Sequence, residues 1–205
     1  MYISKLYREE DRESILEFLR QNEFATLATY DGEKPTASHL LMEVAEAGGK
    51  LFVNGHMSKA NPLWKTFEKT SEALVIFHGP HTYISPTWYN HVNVPTWNYQ
   101  AVHVYGSPRV VTDYNETCNI LSRLILRNEG NPSYRLETLP QDFVEKEVRG
   151  IVAFQIEVTQ IEANYKLSQN RGDEDYHTIV AQLEEREDEM SHRVAVAMRE
   201  QRPSR

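Results

Sequence analysis

FATLATYDGEKPTASHLLMEVAEAGGKLFVNG, running from Phe24 to Gly55, decides the fold. FATLATY reads as a strand, DGEKP as a turn and TASHLLMEV as a second strand. Ala47-Gly48-Gly49 marks the next hairpin, and KLFVNG is the third strand. Three strands joined by turns this short are antiparallel neighbours, a β-meander.

Outward from the meander, the same reading continues. Asp11 followed by Ile15, Leu16, Phe18 and Leu19 predicts a short capped helix ending near Asn22. Downstream, Asn61 is placed to cap a helix that Pro62 begins. EALVIFHG is another strand, with a chain reversal expected at Gly79-Pro80 before HTYIS. TWNYQAVHVYGSPRVV is long enough to cross a barrel wall. Asp113 caps a helix over DYNETCNILSRLILRNEG, with Ile120, Leu121, Leu124 and Ile125 toward the core and Cys118 as a buried structural thiol. GIVAFQIEVTQIEANYKLS supplies one or two strands, and a long charged helix is expected over about 173–201. The class is mainly β with helices (α+β), a Greek-key-like antiparallel barrel with peripheral helices. Residues 1–205 show no repeat, low-complexity linker or break in composition, so one domain is expected.

The chain of 205 residues is 40% apolar and 25% charged, with a formal charge of −8 and pI about 5.5. That balance draws it to neither nucleic-acid phosphates nor anionic lipid. One Cys excludes an intrachain disulfide and a Cys-based metal cluster. The N-terminal segment lacks a signal-peptide pattern, no apolar run reaches membrane-spanning length, and a cytoplasmic location is expected. GxGxxG and GxxxxGK[ST] are absent, which argues against Rossmann and P-loop nucleotide sites.

Chemistry concentrates between His78 and Gly106, where His78, His81, His91 and His103 make up half of the eight His. Nearly every bulky group there carries a hydrogen-bonding atom, which costs about 1–3 kcal/mol if buried without a partner. A planar, polar-edged ligand or a subunit interface accounts for such a composition better than core packing does. Tyr99, Ala101, His103 and Tyr105 share one strand face, and Asn98, Val102 and Val104 the other. Three further segments qualify. Asn54 to Pro62 follows a strand and opens a helix, so backbone N–H groups, Ser58 and Lys59 suit an anion such as phosphate; a capped turn with an exposed Lys explains it equally well. In Pro35 to Leu40, small residues beside His39 let a flat ring lie on the strand. Lys166 to Arg171 is either a polar strand terminus or a second anion-recognising edge. A metal site ranks below an organic ligand, because the His-rich stretch has no carboxylate and no zinc-type spacing.

GHMSKANPLW, VIFHGPHTYISPTWY, VPTWNYQAVHVYG and KLSQNR together resemble the PaiB family, bacterial FMN-binding proteins described as negative transcriptional regulators of protease synthesis and sporulation. The resemblance spans Phe24 to about Arg171. It implies an FMN-binding split β-barrel, similar to pyridoxamine-phosphate oxidases and small flavin reductases, working as a homodimer with flavin between subunits. Carried over by position, the flavin phosphate lies near His56, Ser58, Lys59 and Asn61, and Ser38, His39 and Leu40 run along the isoalloxazine. Trp97, Asn98, Tyr99 and His103, with Lys166, Ser168, Gln169 and Arg171, close the pocket. An acidic chain without a helix-turn-helix is not built to read DNA directly, so the regulatory effect is expected to be indirect, through a flavin-dependent activity or a protein partner. The alternative is an FMN-dependent oxidoreductase acting on a small-molecule substrate, with His39, His103 or Tyr99 as proton or hydrogen-bond donor; no catalytic residue is assigned. Haem or another planar cofactor on the same scaffold is a third reading, against which the Ser58–Lys59 corner favours FMN.

Overall fold

A computed structural model describes Met1–Arg202. Seven strands form one antiparallel sheet: β1 (Arg8–Glu9), β2 (Phe24–Tyr30), β3 (Pro35–Ala47), β4 (Lys50–Ser58), β5 (Ala73–Ile84), β6 (Thr96–Val111) and β7 (Ile151–Lys166). Their order is β1-β7-β4-β3-β2-β5-β6, and β6 also pairs with β7. The α-helices are α1 (Arg12–Gln21), α2 (Tyr114–Asn128), α3 (Gln141–Arg149), α4 (Asp173–Glu184) and α5 (Glu189–Gln201). The chain's contacts gather into two compact units.

One unit, Leu16–Phe77 with His103–Ile161, holds the meander. β2 and β3 pair from Phe24↔Leu41 to Tyr30↔Pro35, and β3 and β4 from Met42↔Gly55 to Ala47↔Lys50. Gly48 (φ 59°) and Gly49 (φ 77°) make the tight turn between them in the left-handed region that glycine adopts without strain. β7 pairs with β4 from Phe52↔Glu157 to Ser58↔Ile151. Leu27, Met42, Val53, Phe77, Val104, Phe154 and Ile156 are its buried core. Gly55 is needed for close packing, because a Cβ there would stand 2.6 Å from the Phe154 ring. The in–out alternation of β3 fails over Met42-Glu43-Val44, all buried. Glu43 is 2% exposed and accepts from Asn54 Nδ2 (3.2 Å) and Arg123 Nε (2.6 Å), while Leu41 packs with Ile120 and Leu124 of α2. A carboxylate this buried persists because it is paired and hydrogen-bonded.

The other unit, Met1–Ile15, His78–Val102 and the chain from Glu162, is built around α4 and α5. Tyr176, Ile179, Leu183, Val194, Ala195 and Met198 are buried together with Ile84, Val102 and Leu167. Thr82 and Ser191 hydroxyls meet at 2.9 Å, and the Tyr176 hydroxyl donates to the Met198 carbonyl.

Three expectations change. The reversal at Gly79-Pro80 does not occur: β5 runs straight through from Ala73 to Ile84. Its ladder with β2 spans only Leu74–Ile76, so a residue without an N–H at position 80 breaks no rung of it. The helical C-terminus lies within the expected bounds but in two pieces, because Asp188 accepts from the Ser191 N–H at 2.8 Å and starts a new helix. Cys118 is half-buried beside Tyr114, whose phenol pKa its hydrogen bond raises. The last three residues of the chain, 203–205, lie outside the described residues.

Candidate functional site

A cleft of about 410 Å³ in the meander unit joins four of the predicted residues, His39, Leu40, His56 and Ser58. Phe24, Met57 and Ile151 complete its apolar wall, with Glu147 and Gly150 at the end of α3. Its size is that of a small-molecule site. β3 supplies one wall through the alternation expected of it: Thr36, Ser38 and Leu40 are half-buried and His39 is exposed. The exposed Phe24 ring stacks on His39 at 6.3 Å.

His56 is the chemically distinctive residue. Its Nδ1 is buried with no hydrogen-bond partner, and burial lowers its pKa below the ordinary imidazole value, so the ring is neutral at pH 7. Its other nitrogen is therefore the one available to a ligand in the cleft.

The corner Ser58–Asn61 differs from its sequence reading. The helix after it, Pro62–Glu68, is a single short 3-10 segment, too brief for a helix-terminus anion site. Every backbone donor at the corner is already engaged. Lys59 N–H donates to the Gly150 carbonyl (2.9 Å), Ala60 N–H to Ser58 Oγ (3.3 Å) and Asn61 N–H to the Ser58 carbonyl (2.9 Å). Asn61 is a structural residue: its Oδ1 accepts from Leu63 N–H at 3.0 Å and its Nδ2 donates to Ser38 Oγ at 2.8 Å. What the corner leaves for a ligand is the Ser58 hydroxyl proton and the exposed Lys59 ammonium, which forms no ion pair among the described residues.

The remaining predicted residues, His103 apart, lie in the other unit. Asn98 is fully buried and exchanges two hydrogen bonds with Ser168, Nδ2 to Oγ at 2.9 Å and Oγ to Oδ1 at 3.1 Å. The Tyr99 hydroxyl accepts from Asn164 Nδ2 at 2.8 Å. Half-exposed Trp97 lies 5.8 Å from the His81 ring. Ser168 has a φ of 62°, the one positive value outside glycine among the described residues. Gln169 braces the turn, accepting from Leu167 N–H at 2.7 Å and donating to the Tyr165 carbonyl. Lys166 Nζ donates to Thr96 Oγ1 at 2.6 Å, and the Arg171 guanidinium lies over the Tyr89 ring at 4.8 Å. His103 belongs to the meander unit, beside Tyr105, and does not line the cleft.

Phe24, Leu41, Met57, Glu147, Gly150 and Ile151 were not singled out, Glu147 because α3 was not read from the sequence. Pro140 before it, Gly150 after it and Val144 and Val148 at helical spacing were the signals available.

The fold is that of a split β-barrel. The described chain has a TM-score of 0.63 with the flavocytochrome Anf3 from Azotobacter vinelandii, at 16% identity over 86% of this chain and 78% of that one. It has 0.59 with an FAD and heme binding protein from Mycobacterium smegmatis, at 16% identity over 83% and 79%. Residues 1–160 match the family described as "Putative FMN-binding domain". The chain is 38% identical to the protease synthase and sporulation protein PAI 2 of Bacillus subtilis (strain 168), over 97% of this chain and 96% of that protein. This chain belongs to the PaiB-type FMN-binding family, whose cofactor is FMN.

The cleft fits a flavin on its own features. It offers a flat strand wall, an imidazole whose buried Nδ1 is unpartnered, and a rim with one free hydroxyl proton and one free ammonium. Glu147 makes the α3 end of the cleft the less favourable one for an anion.

Proposed function

We propose that this protein is an FMN-binding negative regulator of protease production and sporulation, acting through its flavin and a protein partner rather than by reading DNA. The observation that carries the flavin site is the cleft uniting His39, Leu40, His56 and Ser58. Ser38, His39 and Leu40 line the ring plane, His56 offers one neutral ring nitrogen to a ring edge, and Ser58 and Lys59 hold the phosphate. FMN, when bound, supplies a redox-active planar ring with polar edges. The regulatory part rests on the resemblance to the PaiB family, together with the name protease synthase and sporulation protein carried by the Bacillus subtilis relative. The indirect route rests on the formal charge of −8. A homodimer in the cytoplasm completes this reading, with exposed Phe24 beside the cleft as a surface for the second subunit.

The test is an FMN titration followed by flavin fluorescence, repeated with Lys59→Ala. One site per chain, weakened about tenfold by loss of the charged contact, is the expected outcome. Unsaturable binding sinks the flavin site. A shift of promoter DNA by the purified protein alone at physiological salt sinks the indirect route. A single-chain mass by sedimentation, with FMN present, sinks the dimer.

A further inference from the structure

The turn that closes β7 carries two cations that the flavin cleft does not use. Lys166 and Arg171 both stand there, and neither forms an ion pair among the described residues. The acids of the following helix are engaged elsewhere. Asp173 pairs with Arg202, Glu174 accepts from Asn90 Nδ2 at 2.7 Å, and Asp175 accepts from the Asn90 N–H at 3.0 Å. Arg171 Nε is buried with no partner, and so is the hydroxyl of Tyr89, the ring on which the guanidinium rests. Two donors are thus sealed and unused at one place, beside two positive charges. Burial and the charge of Arg171 both lower the Lys166 pKa, so the two cations repel in the chain as it stands. A strained backbone at Ser168, locked by Asn98, holds this arrangement in place.

We infer that Lys166 and Arg171, with the Tyr89 hydroxyl, form an anion site for a phosphate group. A phosphate dianion matches the paired charge, and its oxygens accept from a guanidinium, an ammonium and a phenol together. The phosphate belongs either to a separate metabolite or to FMN itself, in which case Ser58 and Lys59 do not hold it, and the chemistry of recognition is the same.

Inorganic phosphate titrated calorimetrically into the full-length protein tests the site. One phosphate is expected that Lys166→Met and Arg171→Met each weaken tenfold or more, and that Arg171→Lys largely retains. Circular dichroism of each variant establishes that it is folded. In the wild type, phosphate should also raise the Lys166 pKa, read from its ε-carbon resonance. Phosphate uptake by protein already saturated with FMN identifies a separate anion. Expulsion of phosphate by FMN but not by riboflavin, with FMN itself weakened in Arg171→Met, identifies the flavin's own phosphate. Both outcomes sustain the site, and the flavin fluorescence of the same samples reports separately on the cleft. Absence of saturable phosphate binding, or binding that neither Met variant weakens, overturns the proposal.

Discussion

The corner after β4 and the turn after β7 are made of nearly the same residues and do opposite things with them. Ser58-Lys59-Ala60-Asn61 is relaxed: its backbone donors are engaged, its Asn is a cap, and one hydroxyl proton and one ammonium remain. Lys166 to Arg171 is strained at Ser168, braced by Gln169 and Asn98, and leaves two cations without an ion pair among the described residues and a sealed guanidinium nitrogen without a hydrogen bond. A motif's residue types do not reveal which of its polar atoms are free. The difference lies in which groups the fold has already engaged, and only uncommitted groups recognise a ligand.

Asn98→Ala strikes the strained turn hardest. It strands a buried Ser168 hydroxyl and removes two hydrogen bonds from a fully buried position, for an expected loss of about 3 kcal/mol in urea unfolding. A loss below about 1 kcal/mol would mean that Gln169 alone holds the turn, and the contrast would weaken. Asn61→Ala is the matching test of the relaxed corner. It removes the cap on Leu63 and the tie to Ser38, and is expected to cost about 1–2 kcal/mol. Asn61→Asp keeps the cap and should recover most of that loss. Lys166→Met comes next in size, with a sign opposite to both. It removes a repulsion with Arg171, so the thermal midpoint should rise slightly, whereas Lys59→Met should leave it unmoved.

The fold was legible where local rules act alone. The β2 and β6 bounds, the Gly48-Gly49 turn, the Asp113 cap and the Asn61-Pro62 start follow from alternation, turn chemistry and capping. Legibility stopped where a second layer intervenes. Met42-Glu43-Val44 breaks alternation because α2 covers the outer face of β3 and Arg123 neutralises Glu43. Gly79-Pro80 has the composition of a turn but lies inside a strand, since the cost of Pro depends on which ladder reaches it. In the site, residue types were readable and their roles were not. Asn61, Asn98, Ser168 and Gln169 each hydrogen-bond within the chain, and their spacing in sequence does not reveal those bonds.

The smallest expected effect is also the one that compares both regions in a single curve. His56 and Lys166 are bases whose protonated forms are disfavoured by folding, in both cases chiefly through burial. For each, the unfolded chain binds more protons between the folded pKa and the ordinary one, so stability rises with pH across that window. For His56 the window lies below 6.5: stability is intact above it and falls as acid forces a charge onto the ring. For Lys166 it lies below 10.5: the penalty is present at neutral pH and is relieved as the ammonium loses its proton. Urea midpoints measured against pH should therefore show two rising segments, with the acid one flattened in His56→Gln and the alkaline one in Lys166→Met. Phosphate should flatten the alkaline segment in the wild type, because an anion restores the charge of Lys166, and should leave the acid segment in place. An alkaline segment that survives Lys166→Met would place the repulsion elsewhere and remove the ground on which the two turns differ.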